Sequence, residues 1–214
     1  GSASIVANAS TTTIRATVLD TSGNAAPGVT VAFTTTLGGV TASVVTDSSG
    51  IAEATLTSGT VAGSASITAT ASGFSASTSV TFAAGVPVTA SVTAAPSTIL
   101  PNGTTSVTAT IVDTNSNPVA NETVTFAIAT NNSGGSLASL TGTTNASGQV
   151  TVGYTAGGAT SSVIDTLSVT TANGTTANGT VTVNPGAVVI GSVSLTSGSA
   201  SIVANASTTT IRAT

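Results

Sequence analysis

Residues that could perform chemistry are scarce in this sequence. It contains no His, no Cys and no Lys, and its formal charges come from two Arg and six Asp or Glu. Serine, cysteine and Schiff-base mechanisms therefore lack their base or their nucleophile. A paired-carboxylate hydrolase needs two acids across one cleft, whereas Asp20 and Asp113 stand at the ends of predicted strands, where an Asp caps a turn. We expect neither an enzyme nor a bound cofactor.

The charges also exclude several binding functions. Calcium needs several oxygen ligands and usually clustered carboxylates, and the junction segments 83–92 and 184–193 contain no Asp or Glu. A phosphate backbone needs clustered Lys and Arg, and no apolar run approaches the roughly 20 residues of a membrane-spanning helix. We therefore expect no metal site, no nucleic-acid partner and no membrane contact by this segment.

The chain repeats itself at two spacings. Residues 1–17, GSASIVANASTTTIRAT, recur unchanged as residues 198–214, which indicates a tandem array. A weaker repeat at about half that spacing aligns residues 5–33 with residues 99–126. We expect a piece of a longer array with three parts: module one at 1–88, lacking its first strand, a complete module two at 89–189, and the start of a further module at 190–214.

The positions that the two modules share include a set of turn residues. Asp, Asn and Gly close tight turns because their side chains or their conformational freedom suit such backbones. These predicted structural signature residues are Asn8, Asp20, Asn24 and Gly50 in module one, and Asn102, Asp113, Asn117 and Gly148 in module two.

Between the turns, apolar and polar residues alternate as they do in half-buried strands. In TVTFAIA, for example, Val124, Phe126 and Ile128 share one face. Short alternating strands separated by turns indicate two antiparallel sheets packed face to face. The predicted fold class is all-β, with tandem immunoglobulin-like β-sandwich modules arranged as a rod. Its predicted core aromatics are Phe33, Phe126 and Tyr154.

A longer motif runs through both modules. The string N-x-[ST]-x-x-x-[IV]-x-A-x-[VI]-x-D, a Gly/Asn/Pro-rich turn, V-x-F and a T-[DN]-x-x-G turn resemble the bacterial Ig-like Big-1 domain. Ala9 and Ala25 depart from this pattern, which favours the Gly and Pro that module two keeps at Gly103 and Pro118. The resemblance implies a surface-exposed stalk of the intimin and invasin type of adhesin, extracellular and at the cell surface.

Three functions remain open. The leading hypothesis is a non-catalytic structural repeat of a long extracellular surface protein, an adhesin stalk or fibre shaft whose partners are adjacent repeats or neighbouring fibre chains. In the first alternative, separate subunits polymerise by donor-strand exchange through residues 192–214. In the second, the chain is a receptor- or glycan-binding adhesion module. Exposure of Phe74 beside a concave patch would favour this second alternative, whereas contacts with a host or neighbouring cell would otherwise lie in regions not present.

Sequons of the form N-x-[ST] are frequent and mark candidate N-glycosylation sites. They begin at Asn8, Asn102, Asn121, Asn131, Asn145, Asn173, Asn178 and Asn205.

Overall fold

The computed structural model of the chain describes residues 3–186, 192–197 and 211–213. Every regular element within these residues is a β-strand, because β-branched side chains in alternating patterns fit a pleated surface better than a helix. No helix among the described residues is long and apolar enough to span a membrane.

The strands up to residue 83 form two sheets, which we call the first sandwich. Its strands are β1 (Ser4–Val6), β2 (Thr11–Thr17), β3 (Thr30–Thr35), β4 (Gly39–Val40), β5 (Ser43–Val45), β6 (Ile51–Thr57), β7 (Gly63–Ala71) and β8 (Phe74–Ala83). One sheet has the order β1-β8-β7-β3-β5 and the other the order β2-β6-β4. Neighbouring strands are antiparallel, except that β1 runs parallel to β8.

The following strands form the second sandwich. They are β9 (Thr89–Ala95), β10 (Thr98–Ile99), β11 (Thr104–Val112), β12 (Thr123–Thr130), β13 (Ser136–Leu137), β14 (Thr141–Thr143), β15 (Gln149–Thr155), β16 (Val163–Thr171) and β17 (Thr176–Val183). The sheets have the orders β10-β17-β16-β12-β14 and β13-β15-β11-β9. The second sandwich therefore repeats the first and adds β9 along β11.

Each sandwich encloses its own apolar core. The first core includes Ile14, Phe33 and Phe82, and the second includes Phe126 and Tyr154. Phe33, Phe126 and Tyr154 are 3%, 1% and 0% exposed. Alternate residues of each strand supply these cores, because successive side chains point to opposite faces of a sheet.

A separate pair of strands follows the second sandwich. β18 (Leu195–Ser197) pairs antiparallel with β19 (Ile211–Ala213), so that Leu195 lies opposite Ala213. This all-β, sandwich-like architecture confirms the predicted fold class. The module boundaries drawn from the repeat stay a prediction.

Candidate interface between the two sandwiches

The turn that follows β11 is organised by Asp113. Its Oδ1 accepts hydrogen bonds from the backbone N–H groups of Asn115 at 2.8 Å and Asn117 at 2.9 Å. The side-chain Nδ2 of Asn117 donates to Asp113 Oδ2 at 2.9 Å. An Asp at a strand end folds the chain in this way because its carboxylate substitutes for a backbone acceptor.

The same two side chains also contact the chain before the second sandwich. Asn117 Nδ2 donates to the carbonyl oxygen of Thr60 at 2.8 Å, and Asn117 Oδ1 accepts from the N–H of Ala62 at 2.9 Å. Asp113 Oδ2 accepts at 2.8 Å from the N–H of Gly85, which lies in the segment that connects the two sandwiches. Asp113 and Asn117 are consequently only 3% and 6% exposed. Asn117 thus bonds to a backbone segment much as a neighbouring strand would.

The hairpin between β16 and β17 holds the connecting segment from another side. Asn173 Nδ2 and Thr175 Oγ1 both donate to the carbonyl oxygen of Pro87, at 2.7 and 3.1 Å. The N–H of Val88 donates to the carbonyl oxygen of Val112 at 3.0 Å. The short connection is therefore fixed by side chains of the second sandwich and by its own backbone.

The electrostatics of this interface depend on hydrogen bonds. Burial raises the pKa of Asp113, but hydrogen bonds from Asn117, Gly85 and Asn115 outweigh that effect and hold the pKa below its ordinary value. No group of three metal-ligating residues occurs among the described residues. The buried carboxylate is thus stabilised as an anion by N–H donors.

The equivalent turn of the first sandwich has the same internal bonds. Asp20 Oδ1 accepts from the N–H groups of Ser22 at 2.8 Å and Asn24 at 2.9 Å, and Asn24 Nδ2 donates to Asp20 Oδ2 at 3.3 Å. These bonds, led by the one from the Asn24 backbone, lower the pKa of Asp20. Both Asp20 and Asn24 are exposed.

The remaining signature residues form turns within their own sandwiches. Asn8 and Asn102 have positive φ angles of 89° and 60°, and the N–H of each donates to a glycine carbonyl oxygen in the same sandwich. Gly50 and Gly148 have φ angles of 72° and 69° and close the turns before β6 and β15. The structure therefore brings Asp113 and Asn117 to the interface and leaves the others outside it.

Asp165, for which no role was predicted from the sequence, is fully buried in the second sandwich. Its Oδ1 accepts from the backbone N–H groups of Asn132 at 2.6 Å and Ser133 at 3.0 Å. Its Oδ2 accepts from the hydroxyl groups of Ser133 and Tyr154. Ala65 occupies the equivalent position in β7, since Ala65 faces Val80 as Asp165 faces Val181. Comparison of the modules could have drawn attention to this substitution.

This buried cluster is fully hydrogen-bonded. Burial, together with the bond to Asp165, raises the pKa of Tyr154 to about 12. Burial also raises the pKa of Asp165, but bonds from Ser133, Tyr154 and the backbone outweigh it and lower the pKa. The phenol stays protonated and the carboxylate ionised at neutral pH. We interpret the cluster as a structural brace, because its oxygen atoms are occupied by one another and by N–H donors.

Phe74 is the first residue of β8 and is 83% exposed. It lines a cleft of about 690 Å³ on the first sandwich, whose other apolar walls include Ile14, Val18 and Ala69. The exposed side chain of Phe74 therefore lies beside a concave patch, an arrangement that favours the receptor- or glycan-binding alternative.

The sequon residues lie on the surface. Within the described residues the Asn of every sequon is exposed, although Asn173 is also bonded to Pro87. Asn205 lies outside the described residues. Glycosylation stays a prediction.

Comparison with known proteins gives one family match. Residues 1–85 match the family model for invasin, domain 3. No curated protein sequence matches the chain.

Several solved structures of bacterial adhesins resemble the chain. InvD of Yersinia pseudotuberculosis is 24% identical with a TM-score of 0.65, covering 97% of this chain and 64% of its own. The Escherichia coli adhesin FdeC is 19% identical with a TM-score of 0.67, covering 90% of this chain and 64% of its own. InvE of Y. pseudotuberculosis is 29% identical with a TM-score of 0.43, covering 85% and 56%. The chain therefore spans less than two thirds of each of these proteins.

The family model and the InvD and FdeC structures describe adhesin domains and not enzymes. The match to invasin domain 3 supports the resemblance noted in the sequence, and InvD and FdeC share the fold. The resemblance to the Ig-like domains of the invasin and intimin type of bacterial surface adhesin is thereby confirmed, together with the extracellular, cell-surface location that it implies.

Proposed function

We propose that the chain is a stalk or fibre-shaft segment of a long extracellular surface protein, in which Ig-like sandwiches are stacked end to end. The observation that carries the proposal is the pair of hydrogen bonds from the Asn117 side chain to the backbone of Thr60 and Ala62. A joint of this kind resists bending, because bending would break these hydrogen bonds and replace them by bonds to water. Each such bond contributes about 0.5–1.5 kcal/mol net.

The charge of the chain is compatible with close packing along a shaft. Its net charge is −4 over 214 residues, so little electrostatic repulsion opposes contact between neighbouring domains or chains. The residues around Pro87 are held by the second sandwich and do not form a free Gly/Ser linker. Together these features favour a stiff spacer over separate domains on a flexible tether.

Pulsed electron spin resonance distance measurements would test the stiffness of the joint. The chain has no Cys, so spin labels can be placed at Ser79→Cys and Thr180→Cys, one exposed site in each sandwich. We expect a narrow distance distribution, which broadens in Asn117→Ala. Asn24→Ala is the matched control, because Asn24 has the same turn but no contact with the other sandwich, and it should leave the width unchanged. A broad distribution in the unsubstituted chain would contradict the proposal.

The shaft could consist of one continuous polypeptide or of separate subunits joined by donor-strand exchange through residues 192–214. Boiling native material in denaturant and reductant separates the two arrangements, because non-covalent strand pairing does not survive. A mass many times that of the 20.0 kDa chain would support a continuous array. A mass near 20 kDa would support separate subunits.

A second candidate function is adhesion to a receptor or a glycan. It is favoured by Phe74, whose exposed ring beside the cleft could stack on a sugar or fill an apolar contact. Binding of the labelled chain to a glycan panel and to host cells would test it, with Phe74→Ala expected to lower binding at least tenfold. Leu140→Ala removes another exposed apolar side chain and serves as the control. Equal binding by both variants would exclude Phe74 as the contact.

A further inference from the structure

Asn-Gly pairs begin at Asn102, Asn173 and Asn178. Asn is among the thermolabile residues of proteins, because the backbone nitrogen of the following residue can attack its side-chain Cγ. A following Gly has no side chain to hinder this approach. The surroundings of each pair therefore decide how long its side-chain amide lasts.

Asn173 lies in the turn of the hairpin between β16 and β17. The turn is closed by the N–H of Gly174, which donates to the carbonyl oxygen of Thr171 at 3.0 Å. Gly174 has a φ angle of 87°, and an added Cβ would meet no atom within 4 Å. Both residues of the pair are exposed. The space around this pair is therefore open and accessible to water.

The side-chain carbonyl group of Asn173 is polarised by hydrogen-bond donors. Thr171 Oγ1 and the N–H of Thr175 donate to Asn173 Oδ1 at 2.6 and 3.3 Å. Donors at this position stabilise the negative charge that develops on the oxygen when a nucleophile attacks the carbon. The turn is also held in place, because the N–H of Ala172 donates to Glu122 Oε1 at 3.0 Å. The hairpin thus holds an activated amide beside the nitrogen of the next residue.

The other two pairs are crowded. Asn178 and Gly179 lie within β17, and a Cβ added to Gly179 would come within 2.7 Å of the Val92 side chain. A Cβ added to Gly103, which follows Asn102, would come within 2.8 Å of a backbone oxygen atom. Neither glycine has open space around it, so neither backbone can move readily toward the preceding side chain.

Asn117 is the opposite case at the same joint. It is followed by Pro118, whose nitrogen carries no hydrogen, so this reaction is closed to it. Asn173 also contributes to the joint, since its Nδ2 donates to the carbonyl oxygen of Pro87 at 2.7 Å. The second sandwich therefore holds the preceding chain with one durable amide and one labile amide.

We propose that Asn173 is a site of spontaneous deamidation that releases the connecting segment at Pro87. The nitrogen of Gly174 forms a bond to Cγ of Asn173, and the side-chain nitrogen leaves as ammonia, taking the proton of the attacking N–H. Water then opens the cyclic imide at either carbonyl group and gives aspartate or isoaspartate. In sum, the amide and one water molecule become a carboxylate and an ammonium ion.

The product cannot hold the connecting segment as the amide does. A carboxylate has no N–H to donate to the carbonyl oxygen of Pro87, and the two oxygen atoms repel each other. The carboxylate of Glu122, which binds the same turn, adds to this repulsion. The effect on stiffness rests on the proposed shaft, in which the connecting segment is part of the joint.

Peptide mapping by mass spectrometry tests the site. The chain is kept at neutral pH in heavy-oxygen water, which labels each product with oxygen from the solvent, and is then digested with pepsin in acid. We expect conversion at Asn173 to be about tenfold faster than at Asn102 or Asn178, with isoaspartate among the products and no conversion at Asn117. Equal rates at the three Asn-Gly pairs, or products without isoaspartate, would overturn the proposal.

Gly174→Asn tests the attacking nitrogen. Asn tolerates a positive φ, so the turn is kept while a side chain is added beside the reacting atoms. Conversion at Asn173 should become about tenfold slower. Gly23→Asn is the matched control, because Gly23 has a φ angle of 83° and equally open surroundings, and it should leave the rate unchanged. An unchanged rate in Gly174→Asn would contradict attack by this nitrogen.

Spin labels at Ser79→Cys and Thr180→Cys test the consequence. The width of the distance distribution should rise with the converted fraction at Asn173. Asn173→Asp should be broad from the start, whereas Asn102→Asp adds the same charge away from Pro87 and should match the fresh chain. A converted chain as narrow as the fresh one would overturn the release of Pro87.

Failure of this proposal is distinguishable from failure of the shaft. A broad distribution in the fresh, unconverted chain would contradict the shaft, whereas the peptide map reports the chemistry at Asn173 whatever the stiffness of the joint. A narrow distribution in the fresh chain together with an intact Asn173 would support the shaft and overturn the deamidation site.

Discussion

The turns at Asp20 and Asp113 have the same internal hydrogen bonds and opposite surroundings. Each carboxylate binds the N–H groups two and four residues ahead. Asp113 and its partner Asn117 are buried against another sandwich, whereas Asp20 and Asn24 are exposed. The comparison teaches that the local sequence fixes the shape of the turn, and that the neighbouring domain determines whether the turn becomes a joint.

The cores of the two sandwiches differ in the polarity of two matched positions. In the first sandwich these positions hold the apolar side chains of Ala65 and Leu56. In the second sandwich they hold Asp165 and Tyr154, which are hydrogen-bonded to each other. One fold thus tolerates an apolar or a fully satisfied polar interior at the same position. Substitutions at matched positions can therefore show which contributions to stability are shared by both sandwiches and which belong to one of them.

The largest effect is expected for Asp165→Ala. It leaves the hydroxyl groups of Ser133 and Tyr154 and two backbone N–H groups without their acceptor, which should lower the free energy of unfolding of the second sandwich by about 3–5 kcal/mol. Urea unfolding followed by the fluorescence of Tyr154, the single tyrosine, measures this. A change below about 0.5 kcal/mol would show that the cluster is not a brace.

Gly50→Ala and Gly148→Ala should have similar effects in the two sandwiches. Both glycines have positive φ, and an added Cβ would collide with the carbonyl oxygen of Val18 or of Ile111. We expect each change to lower the free energy of unfolding of its own sandwich by about 2–3 kcal/mol. Calorimetry of the two variants would check this, and strongly unequal losses would contradict the equivalence of the turns.

Acid should weaken the joint at Asp113. Its folded-state pKa is below the ordinary value of 3.8, so its contribution to stability is complete above that value and is lost as the pH falls through the folded pKa. The distances between labels at Ser79 and Thr180 should therefore broaden below about pH 4. Asp20→Asn should not alter this response. A width unchanged down to pH 2 would contradict the role of the Asp113 carboxylate.

The smallest effect is expected for Arg15→Ala. Arg15 forms an exposed ion pair with Glu53 at 2.6 Å, and the equivalent pair in the second sandwich is Thr108 with Thr151, joined by a hydroxyl hydrogen bond of 2.8 Å. Exposed ion pairs contribute about 0–1 kcal/mol. Chemical denaturation should show a loss below about 0.5 kcal/mol, and less still in high salt. A loss above about 1.5 kcal/mol would mean that Arg15 supports the sheet in another way.

The fold was accessible from the sequence because its signal is local. Alternation in TVTFAIA predicts the buried face of β12, where Val124 and Phe126 are 0% and 1% exposed. Turn residues such as Gly148 were recognisable for the same reason.

The contacts between the two sandwiches could not be predicted from the sequence. Asn117 binds backbone atoms 57 and 55 residues earlier in the chain. Because every residue has such atoms, no residue type at those positions indicates the contact. Asp165 was missed because a single acid without a counterpart in module one carries no pattern. Phe74 begins β8, because the turn before it needs only Ser72 and Gly73, both of which have positive φ angles.

The bonds that Asn117 makes to the first sandwich, and that Asp113 makes to the connecting segment, end on backbone N–H and carbonyl groups. Such groups are the same whichever side chains the preceding domain carries. These hydrogen bonds therefore do not depend on the side chains of the preceding domain. At a boundary created by duplication or deletion of a domain, these hydrogen bonds could form without a compensating substitution. In the proposed shaft, the number of domains, and with it the length, could then change while each domain keeps its sequence.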